Sequence, residues 1–292
     1  MKLQTLKNGF LGSDEGESFE VPYQEAKTVI IPFGFEATVS YGGGTKNGPK
    51  AIIEASHQVE VTDEQTRKPV YKSGIVTLEQ PSLPKDTAEA MLLLEIFVRQ
   101  VLNDGKFPIV LGGEHSITQG TIAALVNKYK DISILHFDAH MDLRPKYHGS
   151  HFSHASVMHR ALTKWGVKNI VQVGIRNFSP TEIEFYKKNK NKIKTFWAWE
   201  KIKATQVVSA LKSKNVFISF DVDAFDPSIM PSTGTPEPGG LQWWETLDIL
   251  KKVFSKKNVV GADVVELAPV KNFHAPDFLT ARLVYKLISY RH

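Results

Sequence analysis

Short apolar runs alternate along this chain with longer stretches of helical periodicity. Ile109 to Leu111, Ile132 to Phe137, Ile170 to Val173, Val216 to Phe220 and Val259 to Val265 are apolar at most positions, as expected of strands covered on both faces in a parallel sheet. Between them, Leu94, Phe97, Val98 and Val101 share one helical face. Asp86 and Glu89 open that helix at capping-box spacing and Gly105 closes it. Ser179, Pro180 and Glu182 mark a second helix start. Trp243 and Trp244 open a third, placed to help cover the sheet or to edge a pocket. Alternating strands and helices predict an α/β sandwich, whose ligands bind beyond the carboxyl ends of the strands. No repeat, low-complexity tract or Pro/Ser linker divides the chain, so residues 1–292 are read as one domain.

Composition narrows the classes. A length of 292 residues suits one large α/β domain. Hydrophobic residues at 42% and charged residues at 23% exclude a disordered, collagen-like or coiled-coil protein. No apolar run approaches the ~18 residues that span a bilayer, and Met1 to Phe10 lacks the apolar core of a signal peptide. A soluble cytoplasmic protein without a membrane partner is therefore expected. The absence of cysteine removes disulfides, thiolate catalysis and Cys-ligated zinc or iron–sulfur sites, so any metal must be held by His, Asp or Glu. The net charge of +5 invites a nucleic-acid reading. Its densest sources, Lys187 to Lys194 and Lys251 to Lys257, are instead predicted at helix ends, where cations complement the helix dipole, and no nucleic-acid partner is expected.

Three predicted strand ends run into ligating residues: Gly112-Gly113-Glu114-His115, Asp138-Ala139-His140-Met141-Asp142 and Asp221-Val222-Asp223. If the backbone stays extended, Asp138, His140 and Asp142 point to one side, and Asp221 and Asp223 share a side. Taken singly, each aspartate is an ordinary turn or cap residue and each histidine an ordinary core residue. Clustered at strand ends they form one set, and four crowded carboxylates need compensating cations. A sulfur-free set of carboxylates and imidazoles favours Mn(II), or Fe(II) and Co(II), over structural zinc, and a metal pair is expected.

These motifs, with Ser153-His154-Ala155-Ser156, Ser219 to Pro227, Thr233 to Gly240 and Asp263-Val264-Val265-Glu266, resemble the ureohydrolase family of arginases and agmatinases, and most of all its agmatinase branch. The resemblance covers nearly the whole chain. It implies a three-layer α/β/α fold with a mainly parallel sheet, two manganese ions per chain, hydrolysis of a guanidino group to urea and an amine, and a homo-oligomer, trimer or hexamer. It also implies that His115, Asp138, Asp142 and Asp221 hold one ion and Asp138, His140, Asp221 and Asp223 the other. Glu266 would pair with the guanidinium, His154 would shuttle protons, and Asp142 would pass a proton to the leaving amine. A role in making putrescine for polyamine biosynthesis follows from the same likeness.

Other features have ordinary readings. Gly42 to Gly44 with Thr45 and Lys46 lacks the order of a phosphate loop and is read as a flexible turn. Ser116 lacks the flanking glycines of a nucleophile elbow and is assigned to a cap or to packing. His136 is expected to support the ligands rather than join them. The loop from Leu143 to Phe152 is predicted to border the pocket and to decide the substrate. Agmatine is the first expectation, with guanidinobutyrate as the alternative if Arg144, Lys146 or His148 faces the pocket. A formimino or other amidino substrate, a single-zinc deacylase and a noncatalytic metal-binding scaffold are the remaining readings.

Overall fold

In the computed structural model, which describes residues 3–12 and 19–292, eight strands hydrogen-bond into one sheet with every pairing parallel. Met1 and Lys2, part of the N-terminal stretch considered for a signal, lie outside the described residues. The strands are β1 Thr28–Phe33, β2 Ile75–Thr77, β3 Phe107–Gly112, β4 Ile132–Phe137, β5 Asn169–Ile175, β6 Ile193–Trp197, β7 Asn215–Asp221 and β8 Asn258–Val265. Their spatial order is β2-β1-β3-β8-β7-β4-β5-β6. The five predicted runs are the cores of β3, β4, β5, β7 and β8. The strand β1 is as apolar as any of these and was missed. The other missed strands form the two sheet edges: β2 is three residues long, and β6 exposes Lys194.

The helices are α1 Gly48–Ser56, α2 Thr87–Asn103, α3 Thr118–Lys128, α4 Val157–Thr163, α5 Pro180–Lys188, α6 Ala204–Ala210, α7 Trp243–Lys256 and α8 Ala275–Arg291. They form two layers, because alternate strand residues face opposite sides. Leu135, Phe137 and Ile218 pack with α1, α6, α7 and α8, whereas Ile134 and Phe217 pack with α2 to α5. The result is the three-layer α/β/α sandwich. No helix among the described residues is long and apolar enough to cross a membrane.

Local signals explain the helix starts. The Asp86 carboxylate accepts the Glu89 N–H at 3.0 Å, and the buried stripe of α2 contains all four predicted residues. Ser179 and Glu182 make the full reciprocal capping box of α5. Two expectations fail. Lys192 and Lys194 flank and enter edge strand β6 rather than ending a helix. Trp243 packs against the core, but Trp244, the next residue round α7, is 59% exposed and covers nothing.

The chain leaves β3, skips two sheet positions to form β4, and returns later to fill the gap with β7 and β8. That reversal opens a crevice beyond the carboxyl ends of the four central strands, the place where an α/β sheet binds ligands.

Candidate active site and metal centre

Each central strand delivers residues into this crevice. After β3, Gly113 passes so close to Phe35 that an added Cβ would stand 2.1 Å from the Phe35 carbonyl oxygen. The next turn, His115–Ile117, turns the His115 ring inward. Its Nδ1 lies 3.0 Å from Asp142 Oδ2, 3.2 Å from Asp138 Oδ2 and 3.4 Å from Asp221 Oδ2. Beyond β4, His140 Nδ1 lies 2.9 Å from Asp223 Oδ2 and 3.4 Å from Asp138 Oδ1. All six predicted ligand positions line one cavity of about 140 Å³, together with Glu266 and His154.

The convergence is real, but the expected reason for it is not. The strand β4 ends at Phe137 and Asp142 takes a left-handed backbone with φ 52°. Asp223 sits in a helical turn whose first N–H groups are met by Asp221, the Asp223 N–H donating to Asp221 Oδ1 at 2.9 Å. Strand alternation therefore does not align these side chains; tight turns do. Glu266, at the end of β8, is also left-handed with φ 67°. Backbone strain at two side chains of one cavity is typical of sites held in place by their surroundings.

The charges confirm how crowded the cluster is. Burial, followed by Asp223 and Asp138, drives the Asp221 carboxyl well above its usual range. Burial and Asp138 push Asp142 up to about 6, and burial with Glu114 lifts Glu266 to about 8. Burial would also raise Asp138, but His136, His115 and His140 outweigh it and hold that group well below the usual range. His115 Nδ1 is buried with no hydrogen-bond partner although three carboxylate oxygens surround it. An imidazole nitrogen aimed into a nest of carboxylates, with some of those carboxylates forced towards protonation, marks a place that a cation with oxygen and nitrogen ligands would complete. The donor set fits a metal. Two overlapping groups have donor atoms close enough to meet one ion each, His115, Asp138 and Asp142 with His136 behind them in one and Asp138, His140 and Asp223 in the other, while Asp221, 3.4 Å from His115 Nδ1, stands outside both.

Neighbouring residues orient these donors. His136 Nε2 lies 2.8 Å from Asp138 Oδ2, while its Nδ1 is 3.1 Å from Gln172 Nε2. The amide nitrogen can only donate, so Nδ1 accepts and Nε2–H is directed at Asp138. His136 thus supports Asp138, as expected. His115 Nε2 lies 3.0 Å from Ser219 Oγ, which leaves Nδ1 for the cluster. One Glu266 oxygen accepts the His115 N–H at 2.6 Å, and the side chain lines the cavity.

His154 stands at the mouth, with Nδ1 3.1 Å from Thr38 Oγ1 and Nε2 3.0 Å from Ser40 Oγ. Burial, then the charges of His115 and His140, lowers its pKa to about 4, so it is neutral at pH 7 rather than poised near 6.5. The Thr38 and Ser40 hydroxyls were missed by the sequence reading. Thr38 is placed by Glu114, whose buried carboxylate accepts the Ala37 N–H at 2.7 Å and the Thr38 hydroxyl at 2.8 Å. Ser116 also donates to Glu114, a packing role rather than a cap. Arg176 was missed too. Its guanidinium donates to the carbonyls of Asp223, Phe225 and Glu237 and fixes the loop that carries Asp223.

The rim decides what reaches the centre. Lys146 and His148 are exposed and outside the cavity lining, whereas Arg144 lines it. The Arg144 guanidinium is matched by Glu182 at 3.7 Å and lies 5.0 Å from the Tyr147 ring centre. Glu237 Oε1 is 3.9 Å from His140 Nε2. The Gly42 to Gly44 turn is held rather than loose, with Gly42 N–H bonded to the Gly234 carbonyl at 3.2 Å and Gly44 N–H to Glu36 at 2.6 Å.

The model of the arginase family matches residues 26–290. The chain belongs to the arginase family. It is a ureohydrolase, and its relatives in that family include proteins of the following two names. The N(1)-aminopropylagmatine ureohydrolase of Synechocystis sp. is 36% identical over 283 residues, covering 92% of this chain and 90% of the relative. The agmatinase of Bacillus subtilis is 34% identical over 250 residues, covering 85% and 86%. The crystal structure of agmatine ureohydrolase from Thermoplasma volcanium superposes with a TM-score of 0.84 at 33% identity, covering 93% of this chain and 92% of the other.

Proposed function

We propose that this arginase-family protein hydrolyses a guanidine with a cationic tail, of which agmatine is the simplest, to urea and the free amine. Two manganese ions would be held as the resemblance implies, one by His115, Asp138, Asp142 and Asp221 and the other by Asp138, His140, Asp221 and Asp223. When bound, they supply a nucleophilic water at neutral pH and the positive charge that the crowded aspartates require. Glu266 meets the planar guanidinium, and arrival of that cation favours its ionised form. The water oxygen becomes the urea oxygen, the bond from the guanidinium carbon to the tail nitrogen breaks, and Asp142 returns the water's proton to that nitrogen. His154, neutral at pH 7, carries protons between the cavity and solvent through the Thr38 and Ser40 hydroxyls.

The observation that carries this reading is the gathering of Asp138, Asp142, Asp221, Asp223, Glu266 and the His115 Nδ1 around one cavity. A cationic tail is favoured over a carboxylate because Arg144, the cation at the rim, is already matched by Glu182, while Lys146 and His148 stand clear. The resemblance carries with it a cytoplasmic homo-oligomer, trimer or hexamer, supplying putrescine. The test is urea release by manganese-loaded protein from agmatine, guanidinobutyrate and arginine. Agmatine should give the highest kcat/KM of the three; a preference for guanidinobutyrate would overturn the tail assignment, and no urea from any guanidine would overturn the activity.

A further inference from the structure

Beyond the cavity, the carboxyl ends of β5 and β6 carry an aromatic line. Phe178 lines the cavity just after β5. Its ring centre is 5.4 Å from that of Trp197, the last residue of β6, and Trp197 stacks on Trp199 at 5.1 Å with planes 10° apart. Tyr186 of α5 supports Trp197 edge-on at 5.8 Å. Trp199 is 65% exposed, so beyond its stack on Trp197 most of this large ring meets water at the sheet edge. Because the strands are parallel, this line starts at the reaction centre and runs outward on the same face. From the end of β4 to the end of β6 is two strand spacings, about 10 Å.

A carboxylate borders the line at its inner end, and an exposed acidic residue follows it in the chain at the outer end. Glu237 receives a hydrogen bond from the Asn177 side chain, next to Phe178. Glu200 follows Trp199, and its N–H turns back to the Trp197 carbonyl at 3.0 Å. The faces of aromatic rings with carboxylates beside them recognise alkylammonium groups through cation–π attraction and charge. Arg176, the cation at the start of this segment, is occupied with backbone carbonyls and offers no competing charge to the line.

Resting on the ureohydrolase reading of the centre, we infer that Phe178, Trp197 and Trp199 form a subsite for a second ammonium. The preferred guanidine is then one whose tail carries an inner amine and, some carbons further on, a terminal ammonium. Agmatine would fill only the part of the site nearest the metal ions. An N-aminopropyl extension has the length and charge to lie along the aromatic line.

The experiment compares agmatine with N(1)-aminopropylagmatine as substrates for the manganese-loaded native protein, Trp199→Ala and Trp199→Phe. The native protein should favour the longer guanidine in kcat/KM. Trp199→Ala should cut that preference about fivefold to tenfold through KM, leaving agmatine turnover unchanged, and Trp199→Phe should restore most of it. An independent binding measurement uses the product amines. Spermidine should quench tryptophan fluorescence of the native protein at lower concentration than putrescine does, and Trp199→Ala should erase the difference. Equal losses on both substrates, no loss on either, or a native preference for agmatine would overturn the second-ammonium subsite while leaving the ureohydrolase reading intact. Absence of urea from both substrates would instead overturn that reading.

Discussion

Asp138 touches more of the cluster than any other carboxylate, with His115, His136 and His140 all within 3.4 Å. Asp138→Asn keeps the shape and removes the charge that both proposed ions would share. Elemental analysis of the purified variant should show most of the bound metal gone, whereas full retention would exclude Asp138 as a shared ligand. His154 makes a different point. With its pKa at about 4, it is deprotonated throughout the range above neutrality. Its own titration then contributes nothing to an activity rise between pH 7 and 9. His154→Asn should lower turnover severalfold while leaving the metal content and the midpoint of the pH–rate profile where they were. A shifted midpoint would mean that His154 titrates in the working range. The ligand residues could be found in the sequence because chemistry restricts them to few residue types in short motifs. Thr38, Ser40 and Arg176 could not. Each acts through a contact made across the fold, as when Thr38 meets His154 116 positions away.

Strand ends and turns set the positions of these side chains, and here glycine and backbone contacts matter more than propensity. The Glu266 N–H donates to the Gly113 carbonyl at 2.8 Å, tying the end of β8 to the end of β3. With the Phe35 carbonyl where a Gly113 Cβ would go, Gly113→Ala must push these ends apart. The expected cost is roughly 1–3 kcal/mol of stability with a disproportionate loss of turnover, read by denaturant unfolding and urea release together. Apolar continuity identified the central strands, and only β1 among the strands of comparable quality was passed over. Extended alternation was the wrong guide past the strand ends, because nothing in Asp138 to Asp142 announces the left-handed turn. A second junction ties α8 to the segment before β2 through Lys286, wholly buried against Asp63 at 2.5 Å and also 2.9 Å from Glu64. Burial would raise the Asp63 pKa, but Lys286 and the Thr66 N–H outweigh it and hold the group below its usual range. A depressed carboxyl pKa stabilises the fold above the unfolded value, about 3.9, and that stabilisation is lost as pH falls through the folded value. Lys286→Met should destabilise the protein by about 3 kcal/mol at pH 7, because it strands the Asp63 charge. Thermal melts should show the gap to the native protein narrowing in acid; a gap independent of pH would show that the ion pair is not its source.

A net charge of +5 would seem to repel a cationic guanidine, and where the lysines lie resolves this. Lys27, Lys106, Lys168, Lys192, Lys214 and Lys257 each directly precede a strand, namely β1, β3, β5, β6, β7 and β8. In an all-parallel sheet these positions fall on one face, opposite the crevice. The returning helices bring their C-termini to that same face, so backbone carbonyls with negative partial charge collect there. Two lysines bond to such carbonyls: Lys128 Nζ to that of Leu102 in the last turn of α2, and Lys257 Nζ to that of Leu211, the residue that ends α6, at 2.5 Å. Part of the basic surface is thus a by-product of the topology. On the other face, the Glu266 carboxylate lines the cavity and Glu237 stands 3.9 Å from His140 at its rim, above the aspartates whose charge the metal ions would balance. The molecule is polarised, and the field at the mouth can draw in cations despite the overall sign. Added salt should therefore lower kcat/KM for agmatine severalfold between about 0.02 and 0.5 M ionic strength, since surface attraction is screened over about 10 Å at 0.1 M. A neutral, nonbinding salt must be used and kcat followed separately, so that weaker encounter is distinguished from damage to the centre. If kcat/KM rises with salt instead, repulsion by the net charge dominates, and the separation of charge between the two faces has no part in capturing the substrate.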